Sequence, residues 1–187
     1  KQKAILRLVE SPHYLEVSAN DNISQTANHA FDAAQLECWL AWNNGACLVI
    51  FDKKTFLDPK IFKKELIDKK ITIMWFTVAL FHQYAYMDPS IFRNVNYLIT
   101  GGDVVDKKAV VRIRNCPDVK VNIVEAYGPT ETGIFTSTCT IHDEIIKNYS
   151  QLPIGTPVNN TEVYVLSPFN QFVPMVGIGL LFIGGKG

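Results

Sequence analysis

Val119-Lys120-Val121-Asn122-Ile123-Val124 runs without a break into Glu125-Ala126-Tyr127-Gly128-Pro129-Thr130-Glu131-Thr132-Gly133-Ile134-Phe135, and the reading of that junction decides the fold. The first part is an apolar-rich run of the kind that forms a buried strand. The second puts an aromatic ring, a Gly-Pro turn, threonine hydroxyls and a carboxylate into one bend. A loop leaving the carboxyl end of a strand lies where open α/β sheets take their ligands. A flat ring beside hydroxyls and a carboxylate suits a nucleotide with its phosphates and Mg²⁺.

Outward from that loop, strand and helix patterns alternate. Residues 4 to 10 read as a short helix or turn, and residues 23 to 28 as a strand leading into Phe31-Asp32. Residues 33 to 43 have helical composition, with Leu36, Trp39 and Leu40 on an apolar side and Asn43-Asn44-Gly45 as a left-handed stop. Residues 46 to 51 form an apolar strand. Asp58-Pro59 then opens a helix, with Asp as its cap and Pro in its first turn, carried on Ile61, Phe62, Leu66 and Ile67. Residues 71 to 76 and 95 to 100 read as strands, and residues 77 to 86 and 106 to 114 as helices. This alternation predicts an α/β fold, a layered and mostly parallel sheet with flanking helices.

Near Tyr149 the character changes. Residues 162 to 166, 169 to 175 and 179 to 185 are short strand candidates with turn residues between them and no helical period. The expected organisation is an α/β core over residues 1–148 and the beginning of a β-rich subdomain over residues 149–187. The abrupt ends, with Lys1 in first position and an apolar run just before Lys186-Gly187, are expected of a fragment of a longer enzyme.

With 187 residues the chain can bury a real core. Its 18 Lys and Arg balance its 18 Asp and Glu, which argues against a general nucleic-acid surface or a polybasic membrane tail. No apolar run reaches the roughly 20 residues of a membrane span, and no secretory leader pattern opens the chain. Cys38, Cys47, Cys116 and Cys139 are scattered without metal-type spacing, so we expect reduced, mostly buried thiols of a cytoplasmic protein. His13, His82 and His142 do not group into a metal site, and His29 reads as a pocket-wall or core histidine. No histidine is spaced to activate Cys139 as a nucleophile.

Taken as residues, the loop leaves alternatives open. Tyr127 can stack on adenine or pack the loop. Thr130 can donate to phosphate oxygens, and Glu131 can hold Mg²⁺ or stand as a solvated turn charge. Gly101-Gly102 permits a close backbone approach or marks only a bend. Asp32 can cap its helix or meet a cation.

The chain resembles the adenylate-forming enzymes, and within them the amino-acid adenylation domains of nonribosomal peptide synthetases. The resemblance rests on the Tyr-Gly-x-Thr-Glu pattern at Tyr127–Glu131 and on four further stretches in order. These are Phe31-Asp32-Ala33-Ala34, Leu98-Ile99-Thr100-Gly101-Gly102, Leu152-Pro153-Ile154-Gly155-Thr156-Pro157 and the run Gly179 to Gly185. It covers essentially the whole chain.

The resemblance implies an ATP-dependent ligase. It would make aminoacyl-AMP with release of pyrophosphate, then pass the acyl group to the phosphopantetheine thiol of a peptidyl carrier protein. It places adenine against Tyr127 and beside Gly101, Gly102 and Asp103, with Glu125, Ala126 and Gly128 in the same nucleotide site. Thr130 falls at the phosphates and Glu131 at Mg²⁺. Glu125 departs from the usual asparagine near the adenine amino group; a carboxylate can accept from that group but not donate to it. Asp32 would pair with the substrate's α-ammonium, with Ala34 where the motif ends in serine.

The side-chain pocket carried over is Asp32, Ala33, Leu36, Trp75, Ile99, Gly101, Ala126, Ile134 and Phe135. Apart from Asp32 it holds no charge, and the Trp75 indole is its one hydrogen-bonding group, so it suits a branched aliphatic, valine-like side chain. The resemblance puts a phosphate loop before Lys1, and a ribose-binding aspartate and a catalytic lysine beyond Gly187. It therefore implies that the fragment alone is inactive. Gly179-Leu180-Leu181 carries leucine where the family has glutamate. The competing readings are an acyl- or aryl-acid:CoA ligase of the same superfamily, against which Asp32 argues, a catalytically silent interaction module, and an unrelated nucleotide-binding regulator.

Overall fold

The computed structural model describes residues 1–185. The expected β-rich unit ran to Gly187, and its last two residues lie outside the described residues. The chain opens with α1 (Gln2–Val9), β1 (Asn22–Gln25), α2 (Ala33–Asn43), β2 (Cys47–Ile50), α3 (Lys53–Leu57), α4 (Pro59–Asp68) and β3 (Ile73–Thr77). It continues through α5 (Val78–Met87), β4 (Tyr97–Gly101), α6 (Lys107–Arg114), β5 (Asn122–Tyr127), β6 (Ser137–Thr140) and α7 (Asp143–Asn148). The strands β7 (Thr156–Pro157), β8 (Thr161–Leu166) and β9 (Leu180–Gly185) complete it.

One seven-stranded sheet has the order β2-β1-β3-β4-β5-β6-β7. β1 to β5 pair in parallel, and β6 runs antiparallel to both neighbours. The expected α/β layering is what forms. β8 and β9 make a separate antiparallel pair. The main sheet extends past residue 149, since β7 pairs with β6 and the second sheet starts only at Thr161.

Period-two alternation sorts the strand residues into two apolar layers. Met74, Phe76, Leu98 and Ile123 enter the layer under α4, α5 and α6. Ile73, Trp75, Ile99, Val124 and Ala126 enter the layer under α1 and α2. The first layer is built on Phe62, Phe76 and Tyr84, with Phe76 and Tyr84 stacked at 5.5 Å. Asp58 caps α4 as expected, accepting from the N–H groups of Lys60 and Ile61; Thr77 and Asp106, read as the first residues of their helices, stand instead as their caps, accepting from Leu80 and from Lys108.

Several expectations need correction. β5 begins at Asn122, so Val119 and Val121 are buried without being in the strand; their apolarity marks burial, not extension. Glu125, Ala126 and Tyr127 consequently belong to the strand end and not to the loop. β6 carries Ser137, Thr138 and Thr140, a polar composition that hides a strand, and α3 and α7 are too short to show a period. Residues 169 to 175 form a turn with a single bridge from Leu166 to Phe172. Ile61 and Ile67 of α4 are half exposed. All four cysteines are free, but only Cys139 is buried, and Cys47 is exposed on the edge strand β2.

Candidate active site

The chain turns back on its own order between β1 and β3: β2 lies on one side of β1, while β3, β4 and β5 extend from the other. At such a switch point the connections leaving the carboxyl ends diverge and open a crevice. The cleft here measures about 660 Å³ and is walled by Thr26, Asp32, Ala33, Trp75, Gly101 and Gly102, among others. His29 is exposed on its wall.

Asp32 precedes α2 but makes no side-chain cap bond; its backbone is helical (φ −64°, ψ −27°), and its carbonyl accepts from Gln35 N–H at 2.8 Å. The carboxylate is half-buried and uncommitted at the cleft wall. The capping alternative fails because a residue already in helical geometry cannot aim its side chain at the following N–H groups.

Leu36, Trp75, Ile99, Ala126, Ile134 and Phe135 all join one buried cluster. Trp75 and Phe135 meet with ring centroids 5.3 Å apart, tilted by 41°. Of the residues expected to form the side-chain pocket, Asp32, Ala33, Trp75 and Gly101 line the cleft. The Trp75 indole N–H is buried and has no partner.

Gly101 shows why no side chain fits there. A Cβ would stand 2.1 Å from the Ala126 carbonyl oxygen and 3.2 Å from Cη2 of Trp75. Gly102 has open space but a φ of +91°, which glycine alone adopts freely. Gly128 is pressed against the returning chain, where a Cβ would lie 2.6 Å from Thr136 N. Asp103 is exposed and accepts from Val104 N–H at 2.7 Å.

Beyond β5, Thr130–Thr132 forms a single 3-10 turn. Thr130 and Glu131 stand exposed on it, and Tyr127 is 39% exposed at the strand end. The tyrosine ring is thus available for stacking and is not a core ring. Among the described residues no cluster of three or more His, Cys, Asp or Glu could hold a metal. Mg²⁺ at Glu131 would draw its other oxygens from phosphates and water, as this ion commonly does.

Glu125 is turned away from solvent. Burial pushes its pKa up to about 7, and Oε2 has no partner. In register beside it lie Thr100, whose buried hydroxyl is also unpartnered, and Cys139. Near neutrality part of the Glu125 population is therefore the neutral acid, which can donate as well as accept. The Cys139 thiol is pushed up by burial and then by Glu125, so it is a poor thiolate.

Sequence reasoning missed two buried charges. Glu37 in α2 accepts from the N–H groups of Thr26 and Ala27, and burial raises its pKa to about 7 against those hydrogen bonds. Arg7 in α1 reaches the loop of residues 132–135. A signal existed for Glu37, which sits at helical spacing with the buried Ala34, Leu40 and Ala41, whereas Arg7 shares its face of α1 only with the buried Ala4.

Comparison with known proteins agrees with this geometry. The family described as AMP-binding enzyme matches residues 1–187. The chain is 34% identical over its whole length to surfactin synthase subunit 2 of Bacillus subtilis (strain 168), of which it spans 5%. It is also 34% identical over its whole length to gramicidin S synthase 2 of Brevibacillus brevis, spanning 4% of it. A solved nonribosomal peptide synthetase protein containing adenylation and carrier domains, bound to a vinylsulfonamide inhibitor, superposes with a TM-score of 0.90. That match has 28% identity and covers 97% of this chain and 31% of the other. The N-terminal subdomain of Klebsiella oxytoca NpsA, in complex with 3-hydroxybenzoyl-AMSN, shares the fold at a TM-score of 0.85 and 24% identity, over 98% of this chain and 46% of that one.

Proposed function

Because this chain belongs to the AMP-binding enzyme family, we propose that it is the central part of an amino-acid adenylation domain within a nonribosomal peptide synthetase. The observation that carries the reading is the uncommitted Asp32 carboxylate at the switch-point cleft, beside a buried apolar cluster whose bordering charges, Glu37 and Arg7, are both taken up by hydrogen bonds within the fold. A substrate bearing an α-ammonium next to an aliphatic side chain satisfies both. The small share of its relatives that the chain spans supports assigning the reaction to the synthetase that carries it, not to these residues alone. We take residues 1–148 as the α/β core and 149–187 as the start of the β-rich subdomain, with β7 crossing back to the edge of the core sheet.

In this reading Asp32 pairs with the ammonium and fixes the substrate carboxylate toward the nucleotide. Ala33, Leu36, Trp75, Ile99, Gly101, Ala126, Ile134 and Phe135 surround a branched, valine-like side chain and exclude water from it. Tyr127 stacks on the adenine of ATP, Gly101, Gly102 and Asp103 border it, and Glu125, Ala126 and Gly128 complete the site. Thr130 donates to phosphate oxygens, and Glu131 would hold Mg²⁺, which when bound offsets phosphate charge. The substrate carboxylate attacks the α-phosphorus, pyrophosphate leaves, and aminoacyl-AMP remains. A carrier-protein thiol then takes the acyl group and AMP departs. Four free thiols and a neutral net charge support a reducing, cytoplasmic setting without nucleic-acid or membrane partners.

Amino-acid-dependent ATP–pyrophosphate exchange by the synthetase tests this. Exchange should peak on valine, isoleucine or leucine, and Asp32→Asn should cut kcat/KM by roughly 100-fold, as expected when one partner of a buried charge pair is removed. Equal turnover of glutamate or lysine would sink the pocket assignment. Exchange only with amine-free acids would make the protein an acyl- or aryl-acid ligase, and no exchange would make it a silent module.

A further inference from the structure

α1 sends one charged side chain into the interior. Arg7 is 5% exposed, and its partners are neutral oxygens. Its Nη2 donates to the carbonyls of Phe135 (2.7 Å), Gly133 (3.2 Å) and Thr132, and Nη1 donates to the Thr161 hydroxyl. Its Nε has no partner. Burial draws the guanidinium pKa down. Holding a cation out of water without a counter-charge is unfavourable, so the contacts it makes must matter elsewhere.

They fall on the most contorted stretch near the cleft. Phe135 N–H donates to the Gly133 carbonyl at 2.9 Å, across a three-residue turn centred on Ile134 at φ +66°. That left-handed conformation is an outlier for a β-branched residue. Gly133 before it is also left-handed, at +77°, and sits so close to α1 that a Cβ would lie 2.7 Å from Cβ of Ala4. Strained backbone persists only where its surroundings over-determine it. The three carbonyls converge on Nη2, whose two N–H groups they share, and the rigid planar end of the side chain fixes where that nitrogen sits; a lysine ammonium on its flexible stem is not held at that point.

The turn joins the two halves of the site. Upstream is Thr130–Glu131, and downstream is Phe135, packed on Trp75. We infer that Arg7 is a positioning residue that clamps the Gly133–Phe135 turn, thereby fixing the phosphate-side Thr130–Glu131 turn and the Ile134–Phe135 pocket wall as one unit. Its kinetic consequence rests on the functional reading above; its structural consequence does not.

Arg7→Lys keeps the charge and removes the fork. In the chain itself, amide hydrogen exchange should speed at least tenfold at Gly133, Phe135 and Thr136, whose N–H groups close this turn and its junction with β5, with β3 and β4 amides unchanged. In the synthetase, KM for both amino acid and ATP should rise by roughly tenfold or more, as misplaced binding groups produce. Thr161→Ala, which leaves the carbonyl contacts in place, should leave both KM values unchanged. Arg7→Gln, with a planar end but fewer donors, should behave like Arg7→Lys. Unchanged exchange in the turn, exchange speeded throughout the sheet, or lower kcat with both KM values unchanged would each overturn the inference. If the wild-type synthetase exchanges with no acid, the functional reading fails and hydrogen exchange alone decides the role of Arg7.

Discussion

The Glu37 carboxylate in α2 accepts the backbone N–H of Thr26 at 3.0 Å, and the Thr26 hydroxyl lies 3.2 Å from the same oxygen. That hydroxyl is also 3.1 Å from the Trp75 carbonyl oxygen. Glu37, five positions beyond Asp32, thus fastens the end of β1, and Thr26 carries the link on to β3 at the switch point. Ala27 N–H adds a further contact at 3.1 Å.

Glu37→Ala should therefore destabilise the fold by ~1–3 kcal/mol, because buried N–H groups lose their acceptor. Glu37→Gln should also lower stability despite its equal size, since its amide turns an N–H toward N–H groups. Denaturant unfolding of both variants checks this. A Gln variant as stable as wild type would show that one acceptor oxygen suffices.

Glu37 and Glu125 together set a pH dependence. Burial raises both from the ordinary 4.5 to about 7. Between those values the folded chain holds protons that the unfolded chain has released, so the stability these groups contribute is full below about pH 4.5 and is lost as pH rises toward 7. Tm should fall from pH 5 to pH 8. Glu125→Gln should flatten that slope, removing the part that Glu125 contributes beside Cys139 and Thr100. A slope unchanged in this variant would mean that Glu125 titrates normally.

What the sequence made legible follows how local each signal is. β3, β4 and β5 announce themselves because both faces are buried, and Asp58 caps within three residues. The Tyr127–Glu131 pattern is likewise local, five consecutive residues running from the end of β5 into the 3-10 turn. β6 escaped because it pairs through backbone groups that Ser137 and Thr138 do not advertise. Arg7 escaped because its best contact, Phe135, lies 128 positions away. Ile134's strain depends on that contact, and no local pattern contains it.

The two adjacent glycines of the cleft should respond differently. Gly101→Ala puts a methyl into the Ala126 carbonyl, so β4 and β5 must part; we expect overpacking of about 1–3 kcal/mol and weaker nucleotide binding. Gly102→Ala meets no atom within 4 Å and bears only the penalty of φ +91°, roughly 1–2 kcal/mol. Thermal melts rank the pair, and equal losses would refute the close approach as the reason for Gly101.

Trp75 and Phe135 divide the work of the pocket. The Trp75 indole N–H is buried without a partner, so Trp75→Phe removes an unsatisfied donor along with some volume. With an aliphatic substrate it should change kcat/KM by no more than about tenfold, because no hydrogen bond is lost. Phe135→Ala deletes the ring packed 5.3 Å from Trp75 and opens space beside it. Preference should move from valine toward larger apolar amino acids, with each added methylene worth ~1–3 kcal/mol at most. Exchange assays across valine, leucine and phenylalanine measure both variants. If Trp75→Phe abolished exchange with valine while Phe135→Ala left the preference unchanged, the indole would be a hydrogen-bonding contact to the substrate and not a wall.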